Sequence, residues 1–472
     1  MTRSPERIAV LLFALARTAL CGYRAATQSI TVDEATTYLN YVREHWANVW
    51  ANYDPNNHIL YSILAQLSVR AFHVSEFALR LPSVLAGFFF VIGVHRVLEE
   101  TVDSRAIRTI ALAGLCTAPL LLDFSVAARG YGLSLTLLVW AIWFSVRGRD
   151  AWAGVLLGLS LAANFNIAFP ALGLIACPLV LGEVGQVRDL PIRAMRRALA
   201  VALPAAAIFL AICYPILRQV KTSQLYVGEP AIAAALYNLV FTFIRAAPGH
   251  PGFFGAGTGA HAIEYFFLPA LMLFVIAVSV REFRRERYPR RELLPAFALL
   301  LALAAIVCTH FVAGLNYPAD RLGLPLFLLF GLAWAIAASQ VPKPRVLALN
   351  ALLSILLIAQ FLTQFHTSYF ALWQFDAPMK QVAQKIGEEV RGKPPGSVSV
   401  SATWFHTPAL EFYRRVYRIT ALQPIERHEH TQLDGFDYYV LNLKDDDDVK
   451  AAPIRDAIPL FRDDFSGVVL YK

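Results

Sequence analysis

Along the first 365 residues the apolar positions do not alternate with polar ones. They run together in blocks as long as a membrane core is deep. A hydrocarbon layer about 30 Å thick takes roughly 20 apolar residues of helix. By that ruler the chain shows about eleven runs: 8–26, 80–98, 106–127, 131–146, 151–167, 168–184, 198–217, 263–280, 293–313, 321–340 and 345–365. Each is predicted to be a transmembrane helix. The first follows Met1 to Arg7, is long for a signal-peptide core, lacks a well-placed small-x-small cleavage site and leads into further runs, so it is read as an uncleaved anchor. Two intervening segments, 27–79 and 218–262, are too long for turns. The first contains amphipathic stretches, Tyr38 to Trp50 and Ile59 to Phe72, expected to lie in the membrane surface as interfacial helices. The second contains an apolar stretch, Ala231 to Ala246, and a Gly/Pro-rich piece, Pro248 to Gly259; were the stretch a span, the basic block Arg281 to Arg291 would face outward, so it is expected to be interfacial or re-entrant.

After residue 365 the period changes. Met379 to Val390 reads as a helix, and Ser397 to Ala402, Tyr438 to Leu443 and Gly467 to Tyr471 read as strands. The expectation is a mainly α, polytopic helical membrane protein, with a transmembrane domain over 1–365 and a small α/β domain over 376–472. Asp445 to Asp448 lacks the spaced ligands and glycine of a calcium loop and reads as a solvated loop.

Composition agrees with this division. Hydrophobic residues make up 57% and charged residues 16% of the chain, against about 45–50% and about 25% in soluble globular proteins. A cytosolic enzyme, a disordered chain, a fibrous repeat and a disulfide scaffold are excluded. The net charge of +8 is not one patch, as a nucleic-acid partner would need. It sits in short clusters between runs: Arg3/Arg7, Arg96/Arg105/Arg108, Arg147/Arg149, Arg188/Arg193/Arg196/Arg197, Arg281 to Arg291, and Lys343/Arg345. Placing the N-terminus inside puts all of these on the cytoplasmic side, as the positive-inside rule requires, and the C-terminal domain outside. The five cysteines all fall in apolar runs, with no metal-type spacing, and read as small hydrophobes.

The outer segments hold polar groups close to hydrocarbon, where ionisable side chains are costly and mark function. Asp33-Glu34 follows the first run. Asp54, Asn56, Asn57 and His58 come next, then Arg80 at the mouth of the second run, Asp123 in the third, Arg129-Gly130-Tyr131 before the fourth and Asp320-Arg321 at the tenth. A carboxylate at the interface can take a proton from an acceptor hydroxyl or amine. Arginines can hold a phosphate and stabilise it as a leaving group. For Arg80 the default is snorkelling to the interface. Arg129 has a rival reading as an ion pair with Asp123, and Arg17, midway along the first run, is expected to face a cavity.

Asp33-Glu34-Ala35 resembles the Asp-Glu signature in the first outer loop of the GT-C glycosyltransferases, which include protein O-mannosyltransferases and bacterial lipid A aminoarabinose transferases. Asn57 to Tyr61 and Ser75 to Ser83 look like its continuation in bacterial members, and Ala128-Arg129-Gly130-Tyr131 is similar to their Arg-x-Tyr segment. Many relatives carry Pro-Pro where this chain has Ile59-Leu60. The resemblance implies sugar transfer from a polyprenyl-phosphate donor to a glycan, lipid or protein acceptor at the outer face of a bacterial cytoplasmic membrane, with inversion. It implies Asp33 as general base, Glu34 as its orienting neighbour or a substrate contact, and Arg129 and Arg321 as phosphate anchors. Tyr131, His58, Asn57 and Asp123 would be the remaining substrate contacts. No cofactor is expected, although Asp33, Glu34 and His58 offer ligands for a divalent cation. A multi-span transporter or flippase for a lipid-linked substrate, to which Arg17 would be suited, is the alternative.

Overall fold

The computed structural model describes residues 3–51, 54–181, 190–219, 228–244, 261–285, 291–428, 430–444 and 459–472. The loop Asp445–Asp448 and the piece Pro248–Gly259 lie outside these residues. In chain order the helices are α1 (Arg3–Thr27), α2 (Val32–Thr37), α3 (Ile59–Phe72), α4 (Glu76–Thr101), α5 (Arg105–Thr117), α6 (Pro119–Asp123), α7 (Gly130–Val146), α8 (Asp150–Ala163), α9 (Ala168–Leu181), α10 (Leu190–Leu217), α11 (Ile232–Ile244), α12 (Leu268–Arg285), α13 (Leu294–Ala313), α14 (Leu324–Ser339), α15 (Pro344–Thr363), α16 (Met379–Glu389) and α17 (Thr407–Val416). Each apolar run is helical over most of its described residues. Among the described residues seven helices are long and apolar enough to cross a membrane, with shorter apolar helices between them.

Local chemistry explains the shorter ones. The third run breaks at Ala118, because Pro119 has no N–H to continue the ladder. Arg17 serves that break: its guanidinium donates to the Cys116 carbonyl at 3.0 Å, to the Gly87 carbonyl at 3.3 Å and to Ser125 Oγ at 2.7 Å. A cation on the last carbonyls of a helix is favourable, so Arg17 is a buried cap and does not face a cavity. Asn164 ends α8, its side chain accepting from Asn166 N–H at 3.0 Å. The apolar stretch after residue 231 is helical over its described part, Ile232–Ile244 of α11, about 20 Å of helix at 1.5 Å per residue.

Ion pairs mark one end of the bundle. Arg7 meets Glu99 at 3.0 Å, Arg108 meets Glu6 at 2.8 Å, Arg147 meets Glu100 at 2.8 Å and Arg197 meets Asp150 at 2.8 Å. They tie together α1, α4, α5, α7, α8 and α10 at their basic ends.

The other end carries the tail. Its sheet comprises β1 (Val400–Ala402), β2 (Tyr438–Asn442), β3 (Phe461–Asp463) and β4 (Val468–Tyr471), ordered β1-β2-β4-β3. β1 and β2 are parallel, pairing Val400 with Tyr438; β2 and β3 each run antiparallel to β4. The α17 helix between β1 and β2 was not expected. The tail shares a hydrophobic core with the outer segment: Ile30, Tyr38, Tyr61 and Leu79 are buried in one cluster with Met379, Ile386, Phe412 and Tyr438. Tyr413 of the tail reaches the outer segment twice, accepting from Ile30 N–H at 2.8 Å and donating to Glu76 at 3.1 Å.

Candidate active site

The site is built on α2, a helix of six residues that hydrogen bonding within itself could not hold. Thr31 supplies a capping box: its hydroxyl accepts from Glu34 N–H while Glu34 Oε2 accepts from Thr31 N–H at 2.9 Å. A second cap comes from the tail, where Asp376 Oδ2 accepts from Val32 N–H at 2.6 Å. Burial pushes the Asp376 carboxyl well above the ordinary carboxylate range, the bond from Val32 pulls the other way, and the charges of Asp33 and Glu34 add to the rise. His406 Nδ1 stands 3.5 Å from its other oxygen.

Glu34 is completely buried. Its carboxylate takes Arg80 Nε at 2.8 Å and Nη2 at 2.6 Å, with Ala128 N–H at 2.6 Å. Arg80 spends its remaining donors on the carbonyls of Ala25, Gln28 and Ser29. Arg80 therefore does not snorkel; it is fully buried at the centre of a closed network. Because Glu34 holds the Ala128 N–H, it fixes the residue beside Asp33 and the residue before Arg129 together.

Asp33 lies on the other side of the same turn. Its Oδ2 stands 3.1 Å from Arg321 Nη1 and 3.7 Å from Arg129 Nη2. It accepts no hydrogen bond there among the described residues. Asp33 and Arg321 keep 14% and 25% of their side-chain surface exposed, whereas Arg129 keeps 1%. Arg129 is held from behind: Nη1 donates to the Asn56 carbonyl at 3.0 Å and Nη2 to Asn56 Oδ1 at 2.9 Å, with Thr37 Oγ1 at 3.2 Å. Arg321 rides on a 3-10 turn, Asp320–Gly323, and its guanidinium lies 5.9 Å from the Tyr131 ring and 5.6 Å from the Trp373 ring.

His58 packs edge-on against Tyr131 with ring centroids 5.2 Å apart. Burial, then the charges of Arg129 and Arg321, hold its pKa well below the usual histidine value, against a hydrogen bond with the Ala163 backbone. It is a neutral ring whose Nε2 has no hydrogen-bond partner among the described residues. The backbone at Gly130 lets these parts meet: a Cβ there would lie 1.9 Å from the Ala163 carbonyl oxygen and 2.8 Å from His58 Cβ.

Thus the structure brings Asp33, Arg129, Arg321, Tyr131 and His58 together. Two expected contacts point elsewhere. Asn57 donates to the Val49 carbonyl at 2.7 Å and accepts from Ser62 at 3.0 Å; its neighbour Asn56 is the asparagine on Arg129. Asp123 pairs with Arg24 at 2.5 Å and accepts from Ala371 N–H at 2.8 Å, so the pairing of Asp123 with Arg129 does not form. Asp376, Trp373 and Arg24 carried no sequence signal of their own: each gains its place from a chain-distant partner. Among the described residues no three His, Cys, Asp or Glu side chains cluster as a metal site.

An apolar cavity of about 670 Å³ approaches the turn of Arg321. It is lined by Ile107 of α5, Leu239 and Phe243 of α11, Phe327 and Trp334 of α14, and Gly323, two residues after Arg321.

No family model and no curated protein matches the chain. Among solved structures it is similar to ArnT from Cupriavidus metallidurans in the apo state, with a TM-score of 0.55 at 13% identity over 99% of this chain and 98% of that one. The same protein bound to undecaprenyl phosphate gives 0.52 at 14% identity, over 98% and 97%.

Proposed function

We propose that this chain, which has the GT-C glycosyltransferase fold, moves a sugar from a polyprenyl-phosphate donor to an acceptor at the extracytoplasmic face of the cytoplasmic membrane. The observation that carries this reading is the Asp33 carboxylate held between two guanidiniums beside an apolar cavity. The cavity suits an isoprenoid tail, and Arg321, the more exposed of the two arginines, is the first to meet the phosphate. ArnT has been seen with undecaprenyl phosphate, which agrees with this donor class. The basic ends of α1, α4, α5, α7, α8 and α10 lie opposite the site, so the positive-inside rule places the site and the tail outside.

Without donor, the Asp33 carboxylate stands against Arg321 and Arg129 and offsets part of their charge. When a phosphate arrives, the guanidiniums turn to it and the carboxylate is released to act as a base. Asp33 then accepts the proton of the acceptor hydroxyl or amine as that atom attacks the anomeric carbon. The bond between the anomeric carbon and the phosphate oxygen breaks on the opposite face, and the electron pair leaves with the polyprenyl phosphate. Arg321 and Arg129 stabilise the charge that develops there, and attack opposite the leaving group inverts the centre. His58, neutral, offers Nε2 to the sugar. Glu34 acts through Arg80 and Ala128 as a positioning residue. No step passes through a metal, since Asp33 already has two cationic neighbours. The transporter alternative loses its residue, because Arg17 caps α5.

The test is Asp33→Asn, assayed with a polyprenyl-phosphate sugar in the presence of EDTA. Transfer by the wild type should survive the chelator. In the variant it should fall by about 10²- to 10⁴-fold, the usual worth of a general base, with expression and membrane insertion intact. Full activity in the variant would remove Asp33 from the reaction.

A further inference from the structure

At the end of the bundle remote from Asp33, α8 and α10 cross almost backbone to backbone. A Cβ on Gly154 would lie 2.3 Å from the Val201 carbonyl oxygen, and one on Gly158 2.6 Å from that of Ala205. The close crossing leaves two hollows beside it. One, of about 520 Å³, is bounded by Arg149, Asp150, Trp152, Arg196 and Arg197. The other, of about 830 Å³, runs along Ile192, Met195, Leu199 and Leu203. They meet at Ala151, Arg196 and Ala200, which border both.

We infer that these two hollows form a binding site for one anionic diacyl phospholipid, a role separate from sugar transfer. The polar hollow carries the charge for a phosphate. Asp150 is paired with Arg197, at 2.8 and 3.3 Å, so among the described residues bordering the hollow three arginines stand against one carboxylate. Arg149 and Arg196 border the same hollow. The apolar hollow supplies the acyl seat: Ile192, Met195, Leu199 and Leu203 recur at helical spacing on one face of α10 and are 45–71% exposed. Trp152, 60% exposed on the wall of the hollow that holds the arginines, is the aromatic expected at headgroup depth. A soluble phosphate would leave the apolar stripe bare, and a zwitterionic lipid would leave the positive charge unbalanced. An anionic lipid covers both. Basic pockets between spans recognise such headgroups, and a basic side chain at an anionic lipid surface favours it about five-fold, so two arginines give roughly thirty-fold preference.

The experiment uses the delipidated full-length protein in native mass spectrometry. It is offered phosphatidylglycerol, phosphatidylcholine of the same chains, and sn-glycerol 3-phosphate in separate arms. The expected result is one retained phosphatidylglycerol, favoured about thirty-fold over phosphatidylcholine, with no retention of glycerol phosphate. In the Arg149→Gln/Arg196→Gln variant that preference should vanish while the melting temperature without lipid stays that of the wild type. Equal retention of the two lipids, an unchanged preference in the variant, or binding of glycerol phosphate as strong as that of lipid would overturn the assignment. So would a dimer that the variant abolishes, which would make the occupant a second copy of the chain. None of these readings depends on transfer activity, so the lipid site and the proposed reaction fail separately.

Discussion

Asp33 and Glu34 are adjacent in the chain and opposite in environment. Glu34 is completely buried and takes hydrogen bonds from Arg80, Ala128 and Thr31, whereas Asp33 Oδ2 is charge-paired without a hydrogen bond. A buried ion pair adds little over apolar packing, but removing one partner strands the other charge at a cost of about 3–5 kcal/mol. Glu34→Ala should therefore lower stability by about 3–5 kcal/mol, read as a fall in the denaturant midpoint, while Asp33→Asn should cost less, because Asp33 and Arg321 keep part of their surface in water. Equal losses in the two variants would refute the division of labour. The Asp-Glu pair was legible in the sequence. Which of the two stays available was not, since that depends on Arg80 entering from α4.

At the scale of elements, the site is a meeting of short, capped pieces. α2 is fixed by Thr31 from within and by Asp376 from the tail. The start of α7 is fixed by contact, because Gly130 lies against Ala163 and His58. Gly130→Ala puts a methyl into backbone, not into a flexible side chain that can move aside. Overpacking of this kind costs about 1–3 kcal/mol. We expect that loss in thermal unfolding, together with reduced transfer, because Arg129 and Tyr131 flank the displaced residue. Normal stability and transfer would show that the α7 start is free to shift. The sequence located Arg129-Gly130-Tyr131 as a unit, but the need for glycine arises only when α8 ends against it.

For the whole molecule, the bundle and the tail are not independent. The Phe412 ring meets Tyr38 edge-on at 5.2 Å inside the shared core, and Tyr38 directly follows α2. Phe412→Ala should cost about 3–5 kcal/mol, as large aromatic truncations in cores do. Transfer should fall as well, although Phe412 touches no substrate. Protease susceptibility of residues 27–79 beside the transfer rate would check this; a variant with an unaltered outer segment would separate the tail from the site. The boundary drawn between residues 365 and 376 follows the change in hydrophobic period, and period says nothing of which surfaces later bury one another.

The sequence by itself determined the run of apolar helices, the basic end of the bundle, the α/β character of the tail and the presence of an acidic pair and of arginines in the outer segments. These are properties of residue type and local spacing, and hydrophobic burial acts on them without knowing the partner. Tertiary structure alone decided the pairings: Glu34 with Arg80 across 46 positions, Asp123 with the N–H of Ala371 across 248, Asp33 with Arg321, and Asn56 in place of Asn57 on Arg129. Ion pairs and hydrogen bonds hold only over a few ångströms and in narrow directions. Their partners are therefore chosen by how the helices cross.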